Sequence, residues 1–446
     1  MIPGGWALAL LVPAVALLVL ATGRLRIHAF LVLLAVALLY GLAIGLPPLD
    51  VVRAVKDGFG GTLANIGIVI LAGTILGAFL ERTGAALSMT RAVLRIVGPS
   101  RADAAMNASG AVVSIPVFCD SGYVILTPLN KALAAEAGKP MAVMATALAT
   151  GLYATHTLVP PTPGPLAASG TLGADLGKVI LLGLAAAVPA ALAGLLWARL
   201  VGGGRRAPGG EGEGAAPARP VPPPERLPGA LPSFVPILLP ILLILLKSLA
   251  ELPSRPLGAG PLAGAARLLG EPVLALFSGL AAALLLLVPR RDRKEALGPW
   301  TGRAIREAAE ILAITAAGGS FGRVLQASPM ADFIRTHTAG LDLGLVLPWL
   351  MAAALKTAQG SSTVAIITAS SILAPLLGPL GLDPALAAVA LGAGSMVVSH
   401  ANDSYFWVVA QFSGMPVGTA FRVFTTATAV QGVTALLACL LLSRIA

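Results

Sequence analysis

Ser114-Ile-Pro-Val-Phe-Cys-Asp-Ser-Gly122 interrupts an otherwise apolar run, Ala104–Leu133. Pro116 ends a helix there, since proline lacks a donor and crowds the preceding turn. Gly122 admits close backbone approach, and Asp120 is left at the tip. A helix crosses a bilayer in about 20 apolar residues, but irregular backbone survives at that depth only inside protein or beside a water-filled cavity. The segment, about 104–133, therefore reads as a re-entrant hairpin enclosed by a helical bundle. A second run, Val346–Leu380, is interrupted in the same way by Thr357-Ala-Gln-Gly-Ser-Ser-Thr363 and predicts a second hairpin, about 346–380.

The composition agrees. Of 446 residues, 57% are apolar and 11% charged, where a soluble chain carries about 25% charge. The net charge of +10 is scattered, with no basic patch interleaved with aromatics, which argues against nucleic acid as a partner. Cys119 and Cys439 lie in separate apolar runs, and the few His residues show no HExxH spacing. Neither a disulfide framework, a metal site nor a cofactor is expected. No GxxxxGK[ST] loop is present, so an ATP-driven pump is not supported.

Ten uninterrupted or broken crossings are expected: Trp6–Ala21, His28–Leu46, Leu63–Leu80, Met141–Leu158, Gly177–Leu200, Phe234–Leu249, Pro272–Val288, Ile305–Leu325, Pro384–Ala410 and Thr419–Leu442. Trp6–Ala21 is not a cleavable signal, because its first cations, Arg24 and Arg26, follow it. Arg82–Arg101 is either an interfacial helix or a tilted arm. Gly202–Leu231 is a Gly/Pro/charge-rich linker that buries no core. It separates a first half, 1–201, from a second, 232–446. Cations gather on alternate loops (Arg82, Arg91, Arg95, Arg101, Lys131, Lys139, then Arg290, Arg291, Arg293, Lys294), which predicts both termini outside and the linker in the cytoplasm.

Laid on each other, Ala154–Gly170 (ATHTLVPPTPGPLAASG) and Val398–Gly414 (VSHANDSYFWVVAQFSG) set His156 on His400, with similar flanking elements. An odd number of crossings per half makes the repeats inverted. The expected fold class is an all-α polytopic membrane protein of two inverted repeats, with broken helices at about 141–165 and 384–410. Inverted repeats with interrupted helices place a solute site near the midplane of a secondary transporter.

Four polar clusters supply the candidate site. Asp120 in an apolar hairpin costs roughly 3 kcal/mol to insert, so it is a functional candidate, although it would also cap the helix that follows. The prolines around Thr162 and Gly164 end one helix and begin another, whose free N–H groups suit a carboxylate. Ser361, Ser362 and Thr363 offer small donors at the second tip, and Lys356 beside them either attracts an anion or snorkels to the interface. His400, Asn402, Asp403 and Ser404 stand in an apolar stretch, with His400 and Asp403 spaced to share a proton on one helical turn or to form a structural bond. The carboxylate is placed near Ser121, Gly122, Ser361, Ser362 and Thr363, and the polyol near Thr162, Gly164, Asn402 and Ser404. Asp120, His156, His400 and Asp403 are the proton-coupling candidates.

Together SIPVFCDSGYVILTPL (Ser114–Leu129), HTLVPPTPGP (His156–Pro165), KTAQGSSTVA (Lys356–Ala365) and GAGSMVVSHANDSYFWVV (Gly392–Val409) resemble the gluconate:proton symporter (GntP-type permease) family of the ion transporter superfamily. The resemblance implies a homodimer in the bacterial inner membrane importing a small organic anion, gluconate or a related sugar acid, by proton symport with alternating access. Sodium coupling at the hairpin tips stays open as an alternative. An intramembrane serine hydrolase is the rival from another class, but no GxSxG elbow accompanies the histidines, and no enzyme is expected.

Overall fold

The computed structural model describes residues 2–21, 25–98, 101–203, 227–251, 257–258, 260–329, 343–400 and 403–445. All regular structure among them is helical. The first half contains α1 (Gly4–Val19), α2 (Ala29–Ala43), α3 (Pro48–Thr62), α4 (Ile68–Arg82), α5 (Ala85–Val97), α6 (Ala102–Val113), α7 (Cys119–Glu136), α8 (Met141–Leu158), α9 (Pro163–Leu172) and α10 (Leu176–Gly202). The second contains α11 (Ala230–Glu251), α12 (Pro261–Leu269), α13 (Pro272–Leu286), α14 (Thr301–Gln326), α15 (Val346–Gln359), α16 (Ser362–Leu373), α17 (Pro384–Gly394), α18 (Ser404–Ser413) and α19 (Thr426–Leu442). Most of the expected linker lies outside the described residues.

Five helical stretches among the described residues are long and apolar enough to cross a membrane, or up to seven if each bent pair is one span. The expected spans at Trp6–Ala21 and His28–Leu46 appear as helices of 16 and 15 residues. Both interrupted runs fold as helix pairs, α6/α7 and α15/α16. Arg82–Arg101 contains α5, which lays Ala85, Ala86, Ser88, Met89 and Thr90 inward and packs on α6 and α11.

Side-chain size sorts the helices by depth. On α10, Leu181, Val188, Leu192, Leu196 and Leu200 are exposed at near-helical spacing, while Gly183, Ala186, Ala187, Ala190 and Gly194 are buried. Small residues let backbones approach where lipid offers no hydrophobic drive. A Cβ on Gly151 would lie 2.0 Å from the Asn107 carbonyl, so α8 and α6 touch backbone to backbone there. The Asn107 amide then donates to the carbonyls of Ala147 at 2.9 Å and Ala191 at 3.2 Å, tying α6 to α8 and α10. Every residue of α8 from Val143 to Leu158 is buried, so this helix forms the centre of the molecule.

The order of elements repeats. Helix pair α6/α7 is matched by α15/α16, α8/α9 by α17/α18, and α10 by the segment ending in α19. Helices α9 and α18 are each 10 residues long, and each ends on a left-handed glycine, Gly173 and Gly414, with φ 66°. These caps pair Thr162 with Asp403 and Gly173 with Gly414. The sequence alignment that set Gly170 on Gly414 and His156 on His400 is thus three residues out. Runs of Gly, Ala and Ser slide over one another without penalty, whereas a cap fixes register. The halves also exchange partners: α9 packs on α16, and α18 packs on α7.

Candidate functional site

Asp403 is the residue on which the site is built. It caps α18, its Oδ1 accepting from the Tyr405 amide at 3.1 Å, so its backbone is extended while its carboxylate points back at the helix start. Its Oδ2 accepts from Lys356 Nζ at 2.6 Å and from the Ser399 hydroxyl. Lys356 comes from the last turn of α15, is 0% exposed, and also donates to the Gly360 carbonyl. Its ammonium lies 5.7 Å from the centre of the Tyr153 ring. Gly360 reverses the chain with φ +88°, a conformation that suits glycine, and Ser361 then caps α16 by accepting from Val364 N at 3.3 Å.

The other hairpin supplies Asp120 in the first turn of α7, and α8 supplies His156 near its end. Both lie within electrostatic reach of Lys356 and Asp403. Phe118, at the first tip, sits 5.9 Å ring to ring from His156. Asp120 Oδ1 and His156 Nδ1 are buried without a hydrogen-bond partner among the described residues. Such atoms cost about 1–3 kcal/mol each when left unsatisfied, which marks them as groups kept for something other than stability. The Lys356–Asp403 pair is self-compensating, but losing either member would strand a buried charge at a cost of about 3–5 kcal/mol.

The remaining expected site residues divide. Gly122 is buried, and a Cβ there would lie 2.7 Å from Leu152 Cδ2, so it sets how closely α7 meets α8. A Cβ on Gly164 would lie 2.9 Å from Ile366 Cδ1 and 3.6 Å from the Thr363 Cα, so the starts of α9 and α16 pack closely there. Ser121, Ser361 and Thr363 are half-buried and Ser362 is buried. Thr162 spends its hydroxyl on the Val159 carbonyl at 2.7 Å. Ser404, the residue after Asp403, is exposed. Asn402 lies outside the described residues. His400 and Asp403 do not share a helical turn, because α17 ends at Gly394. His400 Nε2 instead meets the Thr357 carbonyl at 3.0 Å while Asp403 turns to Lys356.

Sequence reasoning left Lys356 undecided and did not select Ser399 or Tyr153. Burial excludes snorkelling for Lys356. The available signal was the coincidence of a lone cation and a lone carboxylate in two apolar runs, since intramembrane charges pair with one another. A separate cavity of about 290 Å³ lies at the far ends of α9 and α16, lined by Asp57, Thr62, Asn65, Thr171 and Arg323 among others. Among the described residues, no three His, Cys, Asp or Glu side chains gather where a metal ion would sit.

Helical pairs that break inside the bundle, and a buried ion pair between their ends, define a polytopic membrane protein of the permease class. The chain belongs to the GntP family permeases, whose family model matches residues 6–445. It is 36% identical to a gluconate permease of Pseudomonas aeruginosa over 98% of this chain and 97% of the relative. It is 34% identical to the D-serine transporter DsdX of Escherichia coli K12 over 99% of each chain. Its fold is similar to that of Neisseria gonorrhoeae MtrF, described as one of a class of antimetabolite efflux pumps, with TM-score 0.67 and 14% identity over 94% of this chain and 96% of the other.

Proposed function

We propose that the chain imports a small hydroxylated carboxylate, gluconate or a related sugar acid, by proton symport with alternating access. The observation that carries this reading is the set Asp120, His156, Lys356 and Asp403, the last three buried, between two hairpin tips, in a chain 36% identical to a gluconate permease. A bare carboxylate cannot cross hydrocarbon, and intramembrane ionisable groups mark solute and proton pathways. The carboxylate lies at the starts of α7 and α16, near Ser121, Gly122, Ser361, Ser362 and Thr363. Its hydroxyls lie toward Thr162, Gly164, Asn402 and Ser404. Asp120, His156, His400 and Asp403 are the groups through which the proton is coupled. The halves 1–201 and 232–446 act as inverted repeats joined by a cytoplasmic linker, with both termini outside a bacterial inner membrane, and the working unit is a homodimer.

Uptake of labelled gluconate into proteoliposomes tests the reading, with an inward pH gradient and no sodium, then with sodium added. The expected result is uptake that a protonophore abolishes and sodium leaves unchanged. Uptake only with sodium transfers the coupling role to the carbonyls and hydroxyls at the hairpin tips. The D-serine transporter among the relatives favours one second reading, in which the solute is a small amino acid. Uptake of D-serine in place of gluconate would establish it.

A further inference from the structure

We infer that Lys356 is the group that receives the substrate carboxylate, and that Asp403 is the internal anion that must be protonated before Lys356 is free to do so. The inference rests on the reading of the chain as a carboxylate carrier and names the coupling device within that site.

Among the described residues Lys356 is the one Lys or Arg that is buried. Any carboxylate drawn to the centre of the bundle therefore meets a single positive charge. That charge is already matched by Asp403 at 2.6 Å, and Asp120 adds a second carboxylate nearby. While Asp403 is ionised, an incoming anion faces net repulsion and a cation with its strongest donor engaged.

A proton on Asp403 Oδ2 changes this with little movement. Oδ1 keeps its capping bond from Tyr405 N, so α18 stays anchored. Ser399 now donates to Oδ2, and a hydroxyl carries lone pairs as well as a hydrogen. It can rotate to accept from the protonated oxygen. Lys356 keeps the Gly360 carbonyl and the Tyr153 ring, and its remaining donors turn to the substrate carboxylate. The balance is one proton and one anion in, with the charge of the site unchanged: ammonium and carboxylate before, ammonium, carboxylic acid and bound carboxylate after. Release on the other side runs the same exchange backward. Neither proton nor anion is stable there alone, which is what coupling requires.

Several groups face the pair from the elements packed around it. Cys119 and Asp120 come from α7, Tyr153 and His156 from α8, and Ser399 precedes α18, while His400 is turned to the Thr357 carbonyl. Among the described residues no hydrogen bond joins Asp120 or His156 to Lys356 or Asp403. Among the described carboxylates, Asp403 is the one that competes directly for the cation.

The test is calorimetric titration of gluconate into the purified full-length protein at pH 5.5 and pH 8, with proton uptake read in weak buffer. Wild-type affinity is expected to fall with rising pH, by up to about tenfold per unit, with one proton taken up per anion bound. Asp403→Asn should bind with no proton uptake and no pH dependence, since an amide still accepts from Tyr405 N but never ionises. Lys356→Gln should lose about 100-fold or more at both pH values. Lys356→Arg, and the neutral pair Lys356→Gln with Asp403→Asn, control for folding: the first should bind, the second should fold and not bind. Undiminished proton uptake in Asp403→Asn, or binding by Lys356→Gln within a few-fold of wild type, overturns the exchange alone. Wild-type protein that binds neither gluconate nor D-serine at either pH overturns the carrier reading and the exchange with it.

Discussion

Lys356 and Asp403 stabilise the bundle only as a pair, so the substitutions that separate function from packing are those that remove one charge or both. Lys356→Met leaves Asp403 buried and unpaired and should cost about 3–5 kcal/mol of stability. Adding Asp403→Leu removes the stranded charge and should recover most of that loss. Thermal unfolding in detergent reads both, and strictly additive losses would show that the two side chains do not depend on each other. Asp120, His156 and Asp403 were legible in the amino-acid sequence as lone polar groups in apolar runs. The partner of Asp403 was not, because Lys356 lies 47 residues away and no local spacing links them. The His400–Asp403 spacing suggested a shared proton only on the assumption of continuous helix, and a break at Gly394 removes it.

Helices in this bundle meet where glycine lets them, and the starts of α10, α17 and α18 are set by acidic caps. A Cβ on Gly58 of α3 would lie 2.4 Å from the Gly319 carbonyl of α14, a backbone atom that cannot step aside. Gly58→Val should therefore force the two helices apart and sharply reduce the folded yield, as size-exclusion chromatography would show. Gly60, whose Cβ would meet nothing within 4 Å, should tolerate alanine in the same assay. Asp383 caps α17 through the amides of Ala385 and Leu386 and pairs with Lys178 at 2.9 Å. Burial raises its carboxyl, but the Leu386 amide and the Lys178 ammonium outweigh that and hold it below the usual carboxylate range. With the folded value depressed, its contribution is full above the unfolded value near pH 4 and is lost as pH falls through the folded one. Asp383→Ala should cost about 0.5–2 kcal/mol at pH 7, and the gap to wild type should close below about pH 4 in unfolding curves. The hairpins and breaks were readable from Pro and Gly in apolar runs. Their register was not, because weak identity across small residues leaves the alignment free to slip until the caps are seen.

Considered as a whole, the molecule is two similar halves fastened through each other. Helix α10 carries Lys178 near its start and Arg199 near its end, roughly 32 Å apart at 1.5 Å per residue, close to the thickness of a hydrocarbon core. Each end is tied by an ion pair, Lys178 to Asp383 of the other half and Arg199 to Asp103 of its own. Neither half has a complete interior alone, since α7 needs α18 and α16 needs α9. Residues 1–203 expressed alone should be degraded, and co-expression with 227–446 should restore a complex that co-purifies. A stable, protease-resistant first half would show that the exchange of partners is incidental. The same interlocking sets a clock on biosynthesis. Tyr123 hydrogen-bonds Ser413, 290 residues later in the chain. At about 5–20 residues per second of synthesis, the first hairpin waits roughly 15–60 s in the bilayer for the strut that closes over it. For most of that interval Asp120 has neither Lys356 nor Asp403 beside it, so a nascent first half is the stage at which membrane quality control has most to recognise.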